Sequence, residues 1–87
     1  MKILAKEIKM LALFDKDGKA EPIRFKIADD SGEEVTIKVD KITSVTETKV
    51  AGISSIVYCC QSEISNAIKQ YELKYRINEH KWELYKM

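Results

Sequence analysis

Hydrophobic and polar residues alternate along most of the chain, and the alternation stops at residues that favour turns. Strict alternation predicts β-strands, because successive side chains of a strand point to opposite faces of the sheet. Hydrophobic residues occupy every second position in residues 8–14, 23–27, 35–39, 56–60, 71–77 and 82–84. We therefore predict one all-β domain over residues 1–87, an antiparallel meander of six to seven strands that closes into a small SH3-like barrel or a curved sheet.

Two turn signals set the expected pairing of the first three strands. Asp17-Gly18 predicts a two-residue hairpin turn, since both central positions of that turn need a positive φ. Residues 30–32 predict a three-residue loop with Gly32 in the left-handed region. The pairs expected from these turns are Ala12 with Ile23, Met10 with Phe25, Ile8 with Ile27, Phe25 with Ile37, Ile27 with Val35, and Ile23 with Val39. Every pair joins hydrophobic residues, so the turns and the alternation agree on the register.

Residues 62–70 allow two interpretations. As a hairpin that turns at Ser65-Asn66, the segment pairs Cys60 with Tyr71, Tyr58 with Leu73 and Ile56 with Tyr75. As a short helix capped by Ser62, it would align apolar side chains at helical spacing. We favour the hairpin, because its register continues the alternation of both flanking strands. A further turn is expected at residues 51–52.

Residues 71–87 combine aromatic and charged side chains, which raises the question of a nucleic-acid surface. A base-stacking surface needs aromatic and basic side chains on the same exposed face. A hairpin around residues 78–81 would instead separate them, by pairing Ile77 with Trp82, Tyr75 with Leu84 and Arg76 with Glu83. We therefore assign the aromatic residues to the core. The predicted core residues are Met10, Phe25, Ile27, Ile37, Val39, Tyr58, Leu73, Tyr75, Trp82 and Leu84.

Composition and charge narrow the class of protein. Hydrophobic residues make up 45% and charged residues 33% of the 87-residue chain, as is typical of a folded globular domain. The formal net charge is +1, which disfavours nucleic-acid binding, because such binding depends on excess positive charge. No apolar run approaches the length of a membrane span and no signal peptide is recognisable, so we expect no membrane association. The two cysteines are adjacent, and free thiols favour a cytoplasmic location.

The residues that could carry catalysis or bind a metal form no recognisable motif. Asp15 begins a segment similar to a calcium loop, but its glycine is fourth rather than sixth and Lys26 stands at position twelve. Cys59 and Cys60 are neighbours in a strand and so point to opposite faces. His80 lies in an expected tight turn, exposed to solvent. We therefore predict neither an enzyme nor a bound cofactor or metal.

A basic patch is the first candidate for a ligand or anion site. Arg24, Lys26 and Lys38 are expected on the outer face of the second and third strands, and Lys9 would extend the patch. Arg24 would lie directly opposite Lys38, which costs stability unless an anionic group is nearby.

Leu11 and Leu13 are the candidate interface residues, because they are expected on the outer face of the first hairpin. Exposed leucines imply either a covering segment or a partner. Residues 2–6 or the C-terminus could form a covering strand, which favours a monomer; otherwise the leucines would form a homodimer contact. The leading interpretation is a non-catalytic binding or protein-interaction module with a protein partner. The alternatives are a small nucleic-acid-binding barrel that uses the basic patch and, least favoured of the three, an enzyme.

The chain also resembles a group of small uncharacterised all-β proteins of clostridia and related Firmicutes. The segments that carry the resemblance are FDKDGKAEPIRFKI, VTIKVDKI, AGISSIVYCC and YELKYRINEHKWELYKM. The resemblance spans nearly the whole chain and implies the all-β fold and a cytoplasmic, bacterial setting, but no activity or site residues. Asn66 stands where a glycine is expected in the relatives, which fits a turn better than a helix.

Overall fold

The computed structural model describes all 87 residues, and it is an all-β fold of seven antiparallel strands, as the alternation predicts. The strands are β1 (Ile3–Phe14), β2 (Ala20–Ala28), β3 (Glu34–Lys38), β4 (Lys41–Val50), β5 (Ile53–Ile64), β6 (Ala67–Arg76) and β7 (Lys81–Lys86), with one 3₁₀ turn at Ile77–Glu79. They form a single sheet in the order β3-β2-β1-β7-β6-β5-β4, which curls into a half-barrel. The sheet is therefore curved but not closed.

β1 joins two meanders, because its two halves pair with different strands. Its first half pairs with β7, and its second half, from Lys9 onward, pairs with β2. An irregularity in the pairing with β7 lies around Ala5, whose φ of +46° is in the left-handed region. Since residues 3–6 belong to β1 itself, the covering strand that we expected over Leu11 and Leu13 is not formed.

β3 and β4 are consecutive in the chain but lie at opposite edges of the sheet. Val39 and Asp40 connect them and close one end of the barrel. The N–H of Val39 donates to a β2 carbonyl at 2.9 Å, and the N–H of Asp40 donates to a β5 carbonyl at 3.1 Å. The Oγ of Ser62 also donates to the carbonyl of Lys38 at 2.5 Å. Beyond this corner β4 pairs only with β5, so the barrel stays open between β3 and β4.

The core fills the inner side of the half-barrel. Its buried hydrophobic residues are Ala20, Phe25, Tyr58, Cys60, Tyr71, Leu73, Tyr75, Trp82 and Leu84, and Met10, Ile27, Ile37 and Val39 pack against them. All ten predicted core residues are in this set, so the assignment of the C-terminal aromatic residues to the core is confirmed. Tyr75 and Trp82 stack with their ring centroids 4.6 Å apart. The hydroxyl of Tyr58 donates to the carbonyl of Ala20 at 2.6 Å and so joins β5 to β2.

The first hairpin turns through three residues, so the two-residue turn predicted at Asp17-Gly18 is wrong. Lys16, Asp17 and Gly18 form the loop between Asp15 and Lys19, and Gly18 has a φ of +83°. Asp15 explains the longer loop, because its Oδ1 accepts the amide hydrogens of Asp17 and Lys19, each at 2.9 Å.

A β-bulge at Ile23 restores the predicted register further along this hairpin. The observed pairs are Met10 with Phe25, Leu11 with Arg24, Ala12 with Pro22, and Ile8 with Trp82 of β7. Ile23 is the extra residue on β2, and it compensates for the extra residue in the turn. The Met10 pair is therefore confirmed, whereas the pairs predicted for Ala12 with Ile23 and for Ile8 with Ile27 are wrong.

The second hairpin and the hairpin at residues 62–70 follow the prediction. Gly32 has a φ of +86°, and Phe25 pairs with Ile37 and Ile27 with Val35. Residues 62–70 are the end of β5, a turn at Ser65-Asn66 and the start of β6, so the helix is excluded. The pairs predicted around that turn, Cys60 with Tyr71, Tyr58 with Leu73 and Ile56 with Tyr75, are all observed.

The last hairpin has a register that differs by two residues from the predicted one. Tyr75 pairs with Trp82, Leu73 with Leu84 and Arg76 with Lys81. The 3₁₀ turn explains the difference, because it removes Ile77 from the ladder that we expected it to join. A shift of two residues keeps every side chain on its predicted face, since the side-chain period of a strand is two.

Candidate protein-interaction surface

Strand pairing brings the two predicted binding features together on the outer face of β1, β2 and β3. Leu11 lies opposite Arg24, and Arg24 lies opposite Lys38, so these three residues form one row across the strands. Lys9 and Lys26 form the next row, two residues along. The basic–leucine face, as we call this surface, consists of Lys9, Leu11, Leu13, Arg24, Lys26 and Lys38.

The alternation of β1 explains why its leucines face solvent. Met10 and Ala12 pack against the core, so Leu11 and Leu13, which alternate with them, point outward. Leu11 is 49% exposed and Leu13 is 62% exposed. Burial of a leucine side chain is worth about 1.5–3 kcal/mol. Covering these two residues would therefore provide a partner with substantial binding free energy.

Three of the four basic side chains on this face have no acidic partner. The Nζ of Lys9 lies 3.1 Å from a carboxylate oxygen of Glu34. Arg24, Lys26 and Lys38 form no salt bridge to any acidic residue. Like charges directly opposite each other destabilise a sheet, and Arg24 and Lys38 are such a pair. The face therefore holds positive charge without salt-bridge partners beside exposed apolar surface, and Glu21, opposite Leu13, is an acidic residue at its edge.

The shape of the face suits the side chains of a partner better than a substrate. A shallow depression of about 260 Å³ lies between the two rows and is lined in part by Lys9, Leu11, Arg24 and Lys26. Pockets for drug-sized ligands are usually about 300–1,000 Å³ and bury most of the ligand. The depression is smaller than this.

The other candidate residues do not converge on a site. His80 is exposed and has a φ of +55° at the end of the 3₁₀ turn. Cys59 is half-buried and Cys60 is buried in the core; burial raises the pKa of the Cys60 thiol to about 12, which keeps it protonated. No group of three or more His, Cys, Asp and Glu side chains could hold a metal ion. No helix has the length and apolar character needed to cross a membrane.

The structure also contains a cleft that sequence reasoning missed. It lies where the barrel is open, between the start of β2 and β4, and has a volume of about 450 Å³. Its apolar lining consists of Ala20, Ile42, Val45, Ile56 and Tyr58. We call this cleft the mouth of the half-barrel. The β-branched residues within positions 41–50 predict a strand there, but they do not indicate which strand, if any, lies beside it.

No protein-family model, curated protein or solved structure matches the chain. The resemblance to small proteins of clostridia and related Firmicutes stays a prediction.

Proposed function

We propose that this protein is a non-catalytic interaction module that binds an acidic segment of a partner protein through the basic–leucine face. The observation that carries the proposal is the row of Leu11, Arg24 and Lys38, in which an exposed leucine adjoins two basic side chains without acidic partners. Apolar burial would supply most of the affinity, and the charges would orient the partner and speed association. The proposed location is the cytoplasm, whose reducing conditions suit the two free thiols.

The layout of the face favours a helical partner segment over an extended one. The leucines follow one another along β1, whereas Arg24, Lys26 and Lys38 lie on β2 and β3, about 5–10 Å to one side. An extended segment points successive residues to opposite sides, so alternating apolar and acidic residues could not both face the sheet. An amphipathic helix carries apolar and charged stripes side by side and is about 10 Å wide. The proposed partner segment is therefore an amphipathic helix with an acidic flank.

Charge argues against a second copy of this chain as the occupant. A symmetric contact brings the same surface patch of both protomers together. Through the basic–leucine face it would bring the Arg24, Lys26 and Lys38 cluster of one protomer close to the same cluster of the other, and like charges at close range cost stability. We therefore propose a monomer that recruits a different protein.

Nucleic acid is the second candidate ligand, because its phosphates are also anionic. It fits the face less well. Phosphates offer nothing to the exposed Leu11 and Leu13, and the basic–leucine face contains no aromatic residue on which a base could stack. The net charge of +1 is also small for a nucleic-acid-binding domain.

A titration with a defined peptide tests the proposal. The probe is a synthetic amphipathic helix of about 18 residues, with a leucine stripe flanked by glutamates, and the matched control peptide has lysine in place of every glutamate. Amide chemical shifts of the protein should change on β1, β2 and β3 with the glutamate peptide alone. Leu11→Ser and Arg24→Glu should each weaken binding about ten-fold or more. Lys69→Glu makes the same charge change on β6 and should alter the affinity by about two-fold at most.

Two results would replace or remove the proposal. Oligonucleotides that bind more tightly than the peptide, and lose affinity steeply between about 50 and 200 mM salt, would establish nucleic acid as the ligand instead. Equal binding of the glutamate and lysine peptides, or no shift changes on the basic–leucine face, would show that the face does not recognise an acidic segment.

A further inference from the structure

The mouth of the half-barrel combines an unfilled cleft with an unpaired strand edge. β4 pairs with β5 on one side only, so its other edge is free over ten residues. Across the mouth, residues 20–22 of β2 lie outside the pairing with β3, which begins at Arg24. A free edge exposes N–H and C=O groups that can pair with a strand from another chain.

The open barrel leaves more surface exposed than a closed fold of this size. The accessible area is 6111 Å², whereas a folded monomer of this mass has about 5,200 Å². Val45, in the middle of β4, lines the mouth and is still 56% exposed. A further strand beside β4 would satisfy the free edge and cover Val45 at the same time.

A second copy of β4 is a poor candidate for that strand. The symmetric antiparallel register that buries Val45 against its own copy also places Lys41 opposite Lys49, and like charges across strands are destabilising. A shift of two residues places Val45 opposite Glu47 instead of covering it with an apolar residue, and a shift of four places Glu47 opposite Glu47. A register shift at residues 42–44 interrupts the regular strand geometry that a longer contact would need. These features protect the edge against self-association.

The charges around the mouth indicate what a foreign strand should carry. Glu47 follows Val45 on the same face of β4, and Glu21 lines the other side of the mouth. Neither carboxylate forms a salt bridge. Lys19 is the third charged residue of the lining, so two negative charges and one positive charge give a net charge of −1. The mouth therefore favours a basic residue, the opposite of what the basic–leucine face favours.

Strand geometry fixes where that basic residue must stand. Residues directly opposite each other in neighbouring strands share a face of the sheet. A partner residue opposite Val45 therefore points into the mouth, above Ile56 and Tyr58, and the partner residue two positions away lies opposite Glu47.

We propose that the mouth binds an extended segment of a partner protein, which adds a strand to the free edge of β4. The added strand is antiparallel, like every other pair in the sheet, so its recognition pattern is Lys or Arg, any residue, and then an apolar residue. The apolar side chain lies in the cleft and the basic one lies beside Glu47. Main-chain hydrogen bonds would supply affinity and the two side chains specificity, as in other cases of strand addition. This site is separate from the basic–leucine face and does not depend on it.

Short peptides with a threonine-rich, strand-forming frame test the proposal. The probe carries a Lys-Thr-Leu centre, and one control peptide has glutamate in place of the lysine. Two further controls carry N-methyl groups on alternate residues, so that each lacks the main-chain N–H donors along one of its two edges. The probe should shift the amide signals of β4 and slow their hydrogen exchange. Glu47→Lys should weaken its binding about three- to ten-fold and should make the glutamate peptide the better ligand. Glu63→Lys, the same charge change on exposed β5 surface, should leave both affinities unchanged.

The outcomes are separable from those for the basic–leucine face. Arg24→Glu, which should weaken binding of the acidic helix about ten-fold or more, should leave the strand peptide's affinity unchanged. If the two peptides that are N-methylated along opposite edges bind with equal affinity, no strand is added to β4. Slower hydrogen exchange in strands other than β4 would also overturn the proposed site. So would a Glu47→Lys variant that still binds the lysine peptide more tightly than the glutamate peptide.

Discussion

The outer face of β6 and β7 and the basic–leucine face both carry basic residues, but three of the four on the basic–leucine face have no acidic partner. The guanidinium of Arg76 lies 2.8 Å from Glu79 and 3.6 Å from Glu83. The Nζ of Lys74 lies 4.5 Å from the ring centroid of Tyr85, which is a cation–π contact. On this face the positive groups therefore already have partners within the same chain.

The basic–leucine face differs in two ways that reinforce each other. Its Arg24, Lys26 and Lys38 have no acidic partner, and Leu11 and Leu13 beside them are exposed. Surface ion pairs contribute little to stability, so their presence alone identifies no function. What distinguishes an interaction surface here is uncompensated charge next to apolar area that another molecule could bury.

High pH should produce the largest effect, and it should act on the β5–β6 side. Burial raises the pKa of Tyr58 and of Tyr71 from 10.0 to about 12, and that of Cys60 from 9.0 to about 12. Above pH 9 the unfolded chain loses these protons first, so it binds fewer protons than the folded chain, and the free energy of unfolding falls until about pH 12. Because each pKa unit corresponds to about 1.4 kcal/mol, the three groups together should remove several kcal/mol.

Urea unfolding under reducing conditions, at a series of pH values from about 7 to 11.5, measures this loss. The double variant Tyr58→Phe, Tyr71→Phe keeps the aromatic rings but has no phenol to ionise. Its stability should be lower at neutral pH, since the bonds to Ala20 and Ser62 are lost, yet should decline less steeply with pH. A decline as steep as that of the native chain would mean that other groups cause it.

Glu83→Lys should destabilise the protein through the outer face of β6 and β7. Glu83 is 7% exposed and contacts Arg76, and it lies opposite Lys74 across the strands. A lysine at this nearly buried position would have two positive neighbours, which should cost about 1–3 kcal/mol in chemical unfolding. Glu79→Lys is the control, because Glu79 contacts the same Arg76 from a side chain that is 46% exposed, and it should cost less than about 1 kcal/mol. Equal losses of unfolding free energy in both variants would contradict the expected difference between a nearly buried and an exposed partner of Arg76.

Arg24→Glu, on the basic–leucine face, should have a smaller effect on stability than Glu83→Lys and one of opposite sign. It converts the opposed Arg24 and Lys38 into an oppositely charged pair, which should stabilise the fold by about 0.2–1 kcal/mol. The gain should shrink in about 1 M salt, where charges are screened within a few ångströms. The same variant should bind the acidic helical peptide more weakly, so stability would rise while affinity falls. A destabilised variant would show that Arg24 is already compensated in the native fold, and a gain that salt does not reduce would show that the gain does not come from charge.

The alternation of residues was sufficient to predict which side chains face the core, because strand periodicity survives errors in turn length. The last hairpin shows this: its register is two residues away from the predicted one, yet Trp82 and Leu84 are buried as expected. In the first hairpin the extra turn residue and the bulge at Ile23 offset each other, so Leu11 lies opposite Arg24, as the predicted pairing of Met10 with Phe25 implies.

The mouth could not be predicted, because it depends on contacts between residues far apart in the chain. The corner at Val39 and Asp40 carries no glycine or proline, and the lapse in alternation between Val39 and Ile42 fits a continued strand as well as a bend. Its direction is set by hydrogen bonds to β2 and β5, so nothing local indicates that β4 leaves β3 there. For the same reason Val45 reads as an ordinary strand residue, although it faces an open cleft.

The pairing of the first strand with the last has a consequence for how fast the chain folds. Of the six strand ladders, five join strands that are neighbours in sequence, and such hairpins form within about 1–10 μs. Only β1 with β7, reinforced by two backbone hydrogen bonds between Lys2 and Met87, must close a loop of nearly the whole chain. That closure costs about 4 kcal/mol of chain entropy. We expect the two meanders to form early and their docking along β1 and β7 to limit the folding rate.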